Sequence, residues 1–401
     1  MHARSPILRI VAFEPFDAGS HRAVRQSITL HARHRWVWLT RPGRAWKWRM
    51  RTAAPELLDM ARREGTFTEP VDAIFATSLL SAADLRACLP RRCRDTPLVL
   101  YMHENQAAYP GGHQPAAASG ERDAHFALTN LTSILAADVV LWNSRWNLRS
   151  FTEGIQMLLR NAPDPALPEL APQIEAKSEV IWPPVEPPPE PLSDRERCEE
   201  PPGDSVPSPP PDTTGAASAG RAPNGGRVLH NSASPIRILW PHRWEHDKGP
   251  EELLALARRH TENLNLRWTI LGQQFSEVPP ALQCFAEEFA DRIDHLGFVP
   301  ELREYWGHLR RCHWVLSTAR HEFFGIAVVQ AMLAGCLPWL PGKLSYPELL
   351  PRIAAGLSPA SAPGDEPRVR AAILSHLQPA LAPNAVARLE AAIEAAVAAS
   401  A

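Results

Sequence analysis

The sequence predicts two doubly wound α/β domains joined by an irregular connector. Short apolar runs alternate with helix-type segments through the first 185 residues, the alternation stops at a proline-dense stretch, and it resumes after residue 234. The apolar runs are nearly continuous rather than alternating, as expected for strands of a parallel sheet covered on both faces. Strand alternating with helix is the pattern of such a sheet.

In the first half the strands are expected at 7–13, 36–39, 73–76, 98–102, 139–142 and 180–182, with helices at 21–32, 82–88, 121–136 and 146–159. Positions 186–234 are rich in Pro, Ser, Gly and Glu, and such a stretch buries too little apolar surface to offset its ordering entropy. In the second half strands are expected at 236–240, 268–271, 293–298, 314–317 and 337–340. Helices are expected at 251–259, 280–291, 301–310 and 325–334, and the Ala-rich 385–399 has high helix propensity. The boundaries follow: a first domain over 1–185, a flexible connector over 186–234 and a second domain over 235–401.

Composition narrows the class. Hydrophobic residues make up 45% and charged residues 21%, the balance of a soluble globular chain with two ordinary cores. No segment approaches the ~20 apolar residues of a membrane helix. Residues 1–9 lack the apolar run of a secretory signal. The six cysteines have no zinc spacing and read as free thiols of a reducing cytoplasm. A net charge of −2 announces no bulk nucleic-acid binder. No obligate protein partner is evident.

In open α/β sheets ligands sit outside the carboxyl ends of the strands. Five polar clusters fall there. The sharpest spans 241–249, where Arg243 and Lys248 flank the turn into the helix at 251. Two cations beside a helix N-terminus suit a diphosphate whose charge grows as a glycosidic bond breaks. Spacing alone fits a solvated loop equally, with Arg243 and Lys248 paired to Glu245 and Asp247. The second cluster is 320–325, where Glu322 could accept from sugar hydroxyls and the backbone N–H groups of 324–326 could face a phosphate or sugar oxygen. Its alternative role is to favour the helix dipole. Gly19 and Ser20 with His21, His103 with Glu104 and Asn105, and Asn143 with Ser144 end three strands of the first half. Phosphate-loop, dinucleotide and serine-hydrolase motifs are absent, as are convincing metal ligands.

At these residues the chain resembles the retaining GT-B glycosyltransferases of family 4, in which two Rossmann-like domains enclose a cleft. More narrowly, 19–21, 103–106 with Tyr109-Pro110, 241–248 and 321–325 resemble the tRNA-queuosine α-mannosyltransferase family. The resemblance covers nearly the whole chain outside the connector and the C-terminal tail. It implies transfer of mannose from GDP-mannose to queuosine in the tRNA(Asp) anticodon loop. It casts Arg243 and Lys248 as stabilisers of the leaving diphosphate, Glu322 as a ligand of the donor sugar and His103 as a neighbour of the reacting sugar. The donor would be bound by Gly19, Ser20, Phe323, Phe324, Gly325 and Gln330, and the acceptor by His21, Glu104 and Asn105. No cofactor or metal is expected beyond the nucleotide sugar. One position departs from the family pattern of two glutamates eight apart: Glu322 is present, but the second is Gln330. A glutamine amide still accepts from a ribose hydroxyl.

Between Arg33 and Arg51 seven cations occur without an acid, interleaved with Trp36, Trp38, Trp46 and Trp48. Cations hold phosphates while aromatics stack on unpaired bases, the manner in which RNA loops are recognised. Trp36 and Trp38 are assigned to the second strand, leaving Trp46, Lys47, Trp48 and Arg49 as the expected RNA contacts; a basic surface loop is the other reading. Two rivals to the mannosyltransferase stand: a GT-B enzyme using another sugar nucleotide or a glycan or lipid acceptor, and a non-catalytic tRNA- or nucleotide-binding homologue.

Overall fold

The computed structural model describes residues 6–108, 116–161, 170–189, 234–261, 263–274 and 277–400, the side chains of 116–123 excepted. Tyr109, Pro110, Cys198 and positions 190–233 of the expected connector lie outside the described residues.

The first lobe is a six-stranded sheet of β1 (Arg9–Asp17), β2 (Arg35–Pro42), β3 (Ala73–Thr77), β4 (Leu98–Met102), β5 (Val139–Trp142) and β6 (Ser178–Val180). All pairings are parallel, in the order β2-β1-β3-β4-β5-β6. Its helices are α1 (Gly19–His31), α2 (Trp46–Arg63), α3 (Ala82–Cys88), α4 (Ala116–Ala136), α5 (Arg145–Arg160) and α6 (Ala171–Glu175). Every residue of β3 and β4 is buried, which accounts for their uninterrupted apolar runs.

The second lobe contains β7 (Ile236–Pro241), β8 (Leu266–Leu271), β9 (Ile293–Gly297), β10 (Trp314–Leu316) and β11 (Leu337–Trp339), in the parallel order β11-β10-β7-β8-β9. Around it lie α7 (Pro250–Thr261), α8 (Pro280–Glu288), α9 (Leu302–Arg311), α10 (Ile326–Leu333) and α11 (Glu366–His376). Among the described residues no helix is long and apolar enough to cross a membrane.

Three elements differ from the sequence expectation. The first strand runs on to Asp17, carrying Glu14 in its buried interior. Residues 46–51, where no helix is expected, are the first turns of α2. Its apolar positions 46, 50, 53, 54, 57, 58 and 61 follow the helical period, and Pro55 does not end it. The last helix, α12 (Ala382–Ser400), was assigned to the second domain by sequence order but packs on the first lobe. Val386, Leu389 and Ile393 join Ile10, Val24 and Ile28 in one buried cluster. Glu390, also buried, accepts from the backbone N–H of Arg33 and His34 (both 2.9 Å) and from Trp36 Nε1 (3.1 Å). Beside this crossing, Val185 N donates to Ala380 O and Ala382 N to Val185 O, so both chain passages between the lobes are tied together.

Candidate functional site

The carboxyl ends of the two sheets face each other. On the first lobe, β1 leads through a short turn into α1. Gly19 has φ +49°, and a side chain there would meet nothing within 4 Å, so the helix start is open to a close ligand. Gly19 and Ser20 are exposed, whereas His21, one residue further, turns inward and is buried.

His21 lies at the centre of a buried charge cluster. Its Nδ1 is 3.1 Å from both carboxylate oxygens of Glu14. Its Nε2 is 3.6 Å from Glu104 Oε1, and its ring lies 4.0 Å from that of His103 at 31°. Burial works against a proton on His21, but Glu14 and then Glu104 outweigh it, raising the pKa to about 10. Burial and the His21 charge together drive His103 well below its ordinary value, so it stays neutral. Glu104 is disfavoured as a carboxylate by burial, yet His21, Arg243 and His321 hold its pKa below the usual range. Glu14 went unnoticed in the sequence. Its signal was a carboxylate inside an apolar strand, seven residues before a histidine on the next helix.

Two residues after His103, Asn105 serves structure. Asn105 is fully buried, donating to Asn147 Oδ1 (2.8 Å) and accepting from Ala108 N (2.8 Å). Both His21 and Asn105, expected to touch the acceptor, are therefore packed beneath the surface, and only Glu104 of that trio reaches the cleft.

On the second lobe two strand-end loops interlock. Gly249, at φ +67°, lies so close to Thr318 O that a Cβ would come within 2.2 Å of it. Arg320 N and His321 N donate to Asp247 O, at 2.8 and 3.2 Å. Lys248 is buried, with Nζ 2.9 Å from His321 O, 3.1 Å from Asp247 Oδ2 and 3.3 Å from Glu322 Oε2. Burial opposes its charge, but Glu322 and Asp247 more than offset this and raise its pKa. Burial likewise opposes ionisation of Glu322, yet Lys248 leads the groups that bring it down to about 2. Burial and then Lys248 depress His242 to about 3 and His321 to about 4. Arg243 is about half exposed and lies 3.1 Å from Glu245. The ion pairs of the solvated-loop reading thus exist, but Lys248 sits inside the protein rather than on a solvated turn.

Around Glu322 the structure separates backbone from side chains. Glu322 Oε1 accepts from the N–H groups of Phe323 (3.1 Å) and Phe324 (3.4 Å), which occupies these two donors. The Phe324 side chain belongs to the second core, against Trp182. Phe323, also buried, packs on His321. Neither aromatic ring is offered to a donor. Gly325, at φ +96°, opens α10. Gln330 accepts from Tyr305 OH at 2.9 Å through Oε1, which leaves its amide N–H groups as the free donors of this side chain.

The lobes also touch directly. Ser144 Oγ accepts from Asn147 N as the cap of α5 and donates to Phe323 O at 2.5 Å. Glu348 of the second lobe accepts from Arg145 N (2.9 Å) and Trp146 N (3.0 Å) at the same helix start.

The four expected RNA contacts divide. Trp46 packs on Phe126 of α4, and Arg49 is buried, donating to Pro15 O and Pro42 O (both 2.8 Å) and so fixing the loop after β1. Lys47 is exposed and Trp48 is 69% exposed.

For a metal, the described residues bring together one trio of ligand-type atoms, on Glu14, His21 and His103, within 4.8 Å of one another. Its geometry suits an ion poorly, because the two imidazoles stack and His21 Nδ1 donates to Glu14.

Known proteins resemble this chain in sequence and in fold. Residues 9–185 match the family described as tRNA-queuosine alpha-mannosyltransferase N-terminal, and 228–338 match Glycosyl transferases group 1. The tRNA-queuosine alpha-mannosyltransferase of Drosophila melanogaster is 31% identical over 347 residues, covering 86% of this chain and 82% of that protein. Among solved structures, the UDP complex of Anabaena Alr3699/HepE aligns with a TM-score of 0.53 at 12% identity, covering 98% of both chains. A UDP-forming trehalose-phosphate synthase from Burkholderia xenovorans aligns at 0.59 and 11% identity, covering 97% of this chain and 99% of that one. The fold is thus GT-B and the protein is a glycosyltransferase. By its sequence over both lobes, the chain belongs to the tRNA-queuosine alpha-mannosyltransferase family.

Proposed function

We propose that the protein transfers mannose from GDP-mannose to a hydroxyl of queuosine in the anticodon loop of tRNA(Asp), with retention at the sugar. The observation that carries this reading is the charge arrangement of the cleft: cationic Lys248 and Arg243 on one lobe, and neutral His103 beside Glu104 on the other. The bond from the sugar C1 to the diphosphate oxygen breaks, the acceptor hydroxyl oxygen bonds that carbon on the same face, and its proton passes to the departing diphosphate oxygen. Negative charge grows on the departing diphosphate, where Arg243 and the open N-terminus of α1 at Gly19 and Ser20 stabilise it. Lys248 acts from below, fixing Glu322 towards the donor-sugar hydroxyls.

His103 binds rather than exchanges protons. A base flanked by the His21 cation cannot keep a proton, so its ring serves as a neutral hydrogen-bonding partner of the reacting sugar. Gln330 meets the nucleotide ribose through its N–H groups. The cations of the cleft take the charge role that a metal would fill, so activity needs none. Lys47 and Trp48 receive the RNA, one by charge and one by stacking. The reaction takes place in the cytoplasm, consistent with the unpaired Cys88, Cys93, Cys284, Cys312 and Cys336.

Donor choice is tested by offering GDP-mannose, GDP-fucose, UDP-glucose and UDP-galactose with queuosine-containing tRNA and a chelator, and measuring nucleotide diphosphate release. The reading expects tRNA-dependent release from GDP-mannose alone. Release from a UDP-sugar instead would change the donor, and metal dependence would remove the role given to the cations.

A further inference from the structure

An open depression of about 470 Å³ lies far from the cleft, at the amino ends of β3 and β4. Arg62, Arg91 and Arg92 line it around Phe67 and Pro90. Arg62, at the end of α2, is held in place by its bond to Cys88 O at 2.9 Å. Arg91 and Arg92 stand on a tight turn pinned by buried Cys93, whose N–H donates to Pro90 O. Neither Arg91 nor Arg92 forms an ion pair with a described residue. Elsewhere exposed arginines are commonly paired, as Arg258 is with Glu288 and Arg320 with Glu252. Three arginines lining one depression, none in an ion pair with a described residue, favour an external anion.

Helix α2 gives that anion an orientation. Its 18 residues span about 27 Å, from Lys47 and Trp48 at the cleft end to Arg62 at the depression. The acids between them are neutralised, Glu56 by Arg41 and Asp59 by Arg63. We propose that the depression is a second RNA site, gripping backbone phosphates of the stem behind the acceptor loop. This rests on the tRNA acceptor proposed above. A stem is recognised through its phosphates and shape rather than its bases, which suits an open hollow whose charged lining is three arginines.

The test compares wild type with the double variant Arg91→Glu, Arg92→Glu, measuring binding of full-length tRNA across a salt series. The expected result is about tenfold weaker binding and a log–log salt slope smaller by about 2. The KM for tRNA should rise at unchanged kcat, donor KM and thermal midpoint. Unchanged affinity and slope would overturn the site. Inorganic phosphate and GMP are titrated alongside: loss of their binding in the variant with tRNA binding intact would mean a small-anion pocket and would also overturn it. Wild-type protein that binds no tRNA at all would instead sink the acceptor reading on which the site depends.

Discussion

Lys248 Nζ lies 3.3 Å from Glu322 Oε2, a partly buried ion pair that joins the loop after β7 to the loop after β10. Both residues were expected to act on the donor, and the pair makes them structural as well. Replacing Lys248 by Ala would strand the partly buried carboxylates of Glu322 and Asp247. We expect a loss of about 3 kcal/mol in unfolding free energy along with the loss of transfer.

Arg243 separates the two effects. It is about half exposed, and its bond to Glu245 contributes little to stability. Arg243→Ala should leave the denaturation midpoint nearly unchanged while lowering kcat by roughly 10²–10³-fold. Equal loss of stability and rate would place Arg243 in the fold rather than in the reaction.

The histidines set opposing pH limits. The folded pKa of His21 is raised to about 10, so its stabilisation is whole below pH 6.5 and is lost as pH rises towards 10. His242 and His321 are held neutral, with folded values of about 3 and 4. Below pH 6.5 the unfolded chain takes up protons that these two refuse, so stability also falls with acid. Thermal melts across pH should peak near 6.5, and Glu14→Gln should flatten the alkaline side alone. An unchanged alkaline limb in that variant would mean that Glu14 does not hold the His21 proton.

Glu348 closes the lobes by capping α5 from across the cleft. Glu348→Ala should cost about 1 kcal/mol and enlarge the radius of gyration in solution scattering. It should raise the donor KM several-fold with little change in secondary structure. A variant as compact as the parent would leave Glu348 as a local cap only.

At the RNA surface, Lys47→Ala and Trp48→Ala should weaken tRNA binding without changing thermal stability. Arg49→Ala should destabilise, because the carbonyls of Pro15 and Pro42 lose their buried donor. A destabilised Trp48→Ala would remove that ring from the proposed interface.

The strands were legible because buried parallel strands leave continuous apolar runs, and the strand-end rule led from them to His103, Arg243, Lys248 and Glu322. Helix α2 was also written in the sequence, in its 3.6-residue apolar period, but a dense run of cations drew attention to charge instead. Asn105 and His21 looked like acceptor contacts because a motif does not say which way a side chain turns. Asn105 fills the hydrogen-bonding needs of buried backbone, and His21 follows buried Glu14 inward. Glu348 and the start of α5 meet only in three dimensions, Arg145 and Glu348 being 203 positions apart along the chain.

The most direct test is nucleoside mass spectrometry on tRNA(Asp) incubated with the protein and GDP-mannose. Two otherwise identical tRNAs would be used, one carrying queuosine in the anticodon and one carrying guanosine there. A single hexose added to queuosine, with none on the guanosine tRNA, is the predicted result. No hexose on queuosine under conditions where the tRNA is bound would contradict the proposed reaction.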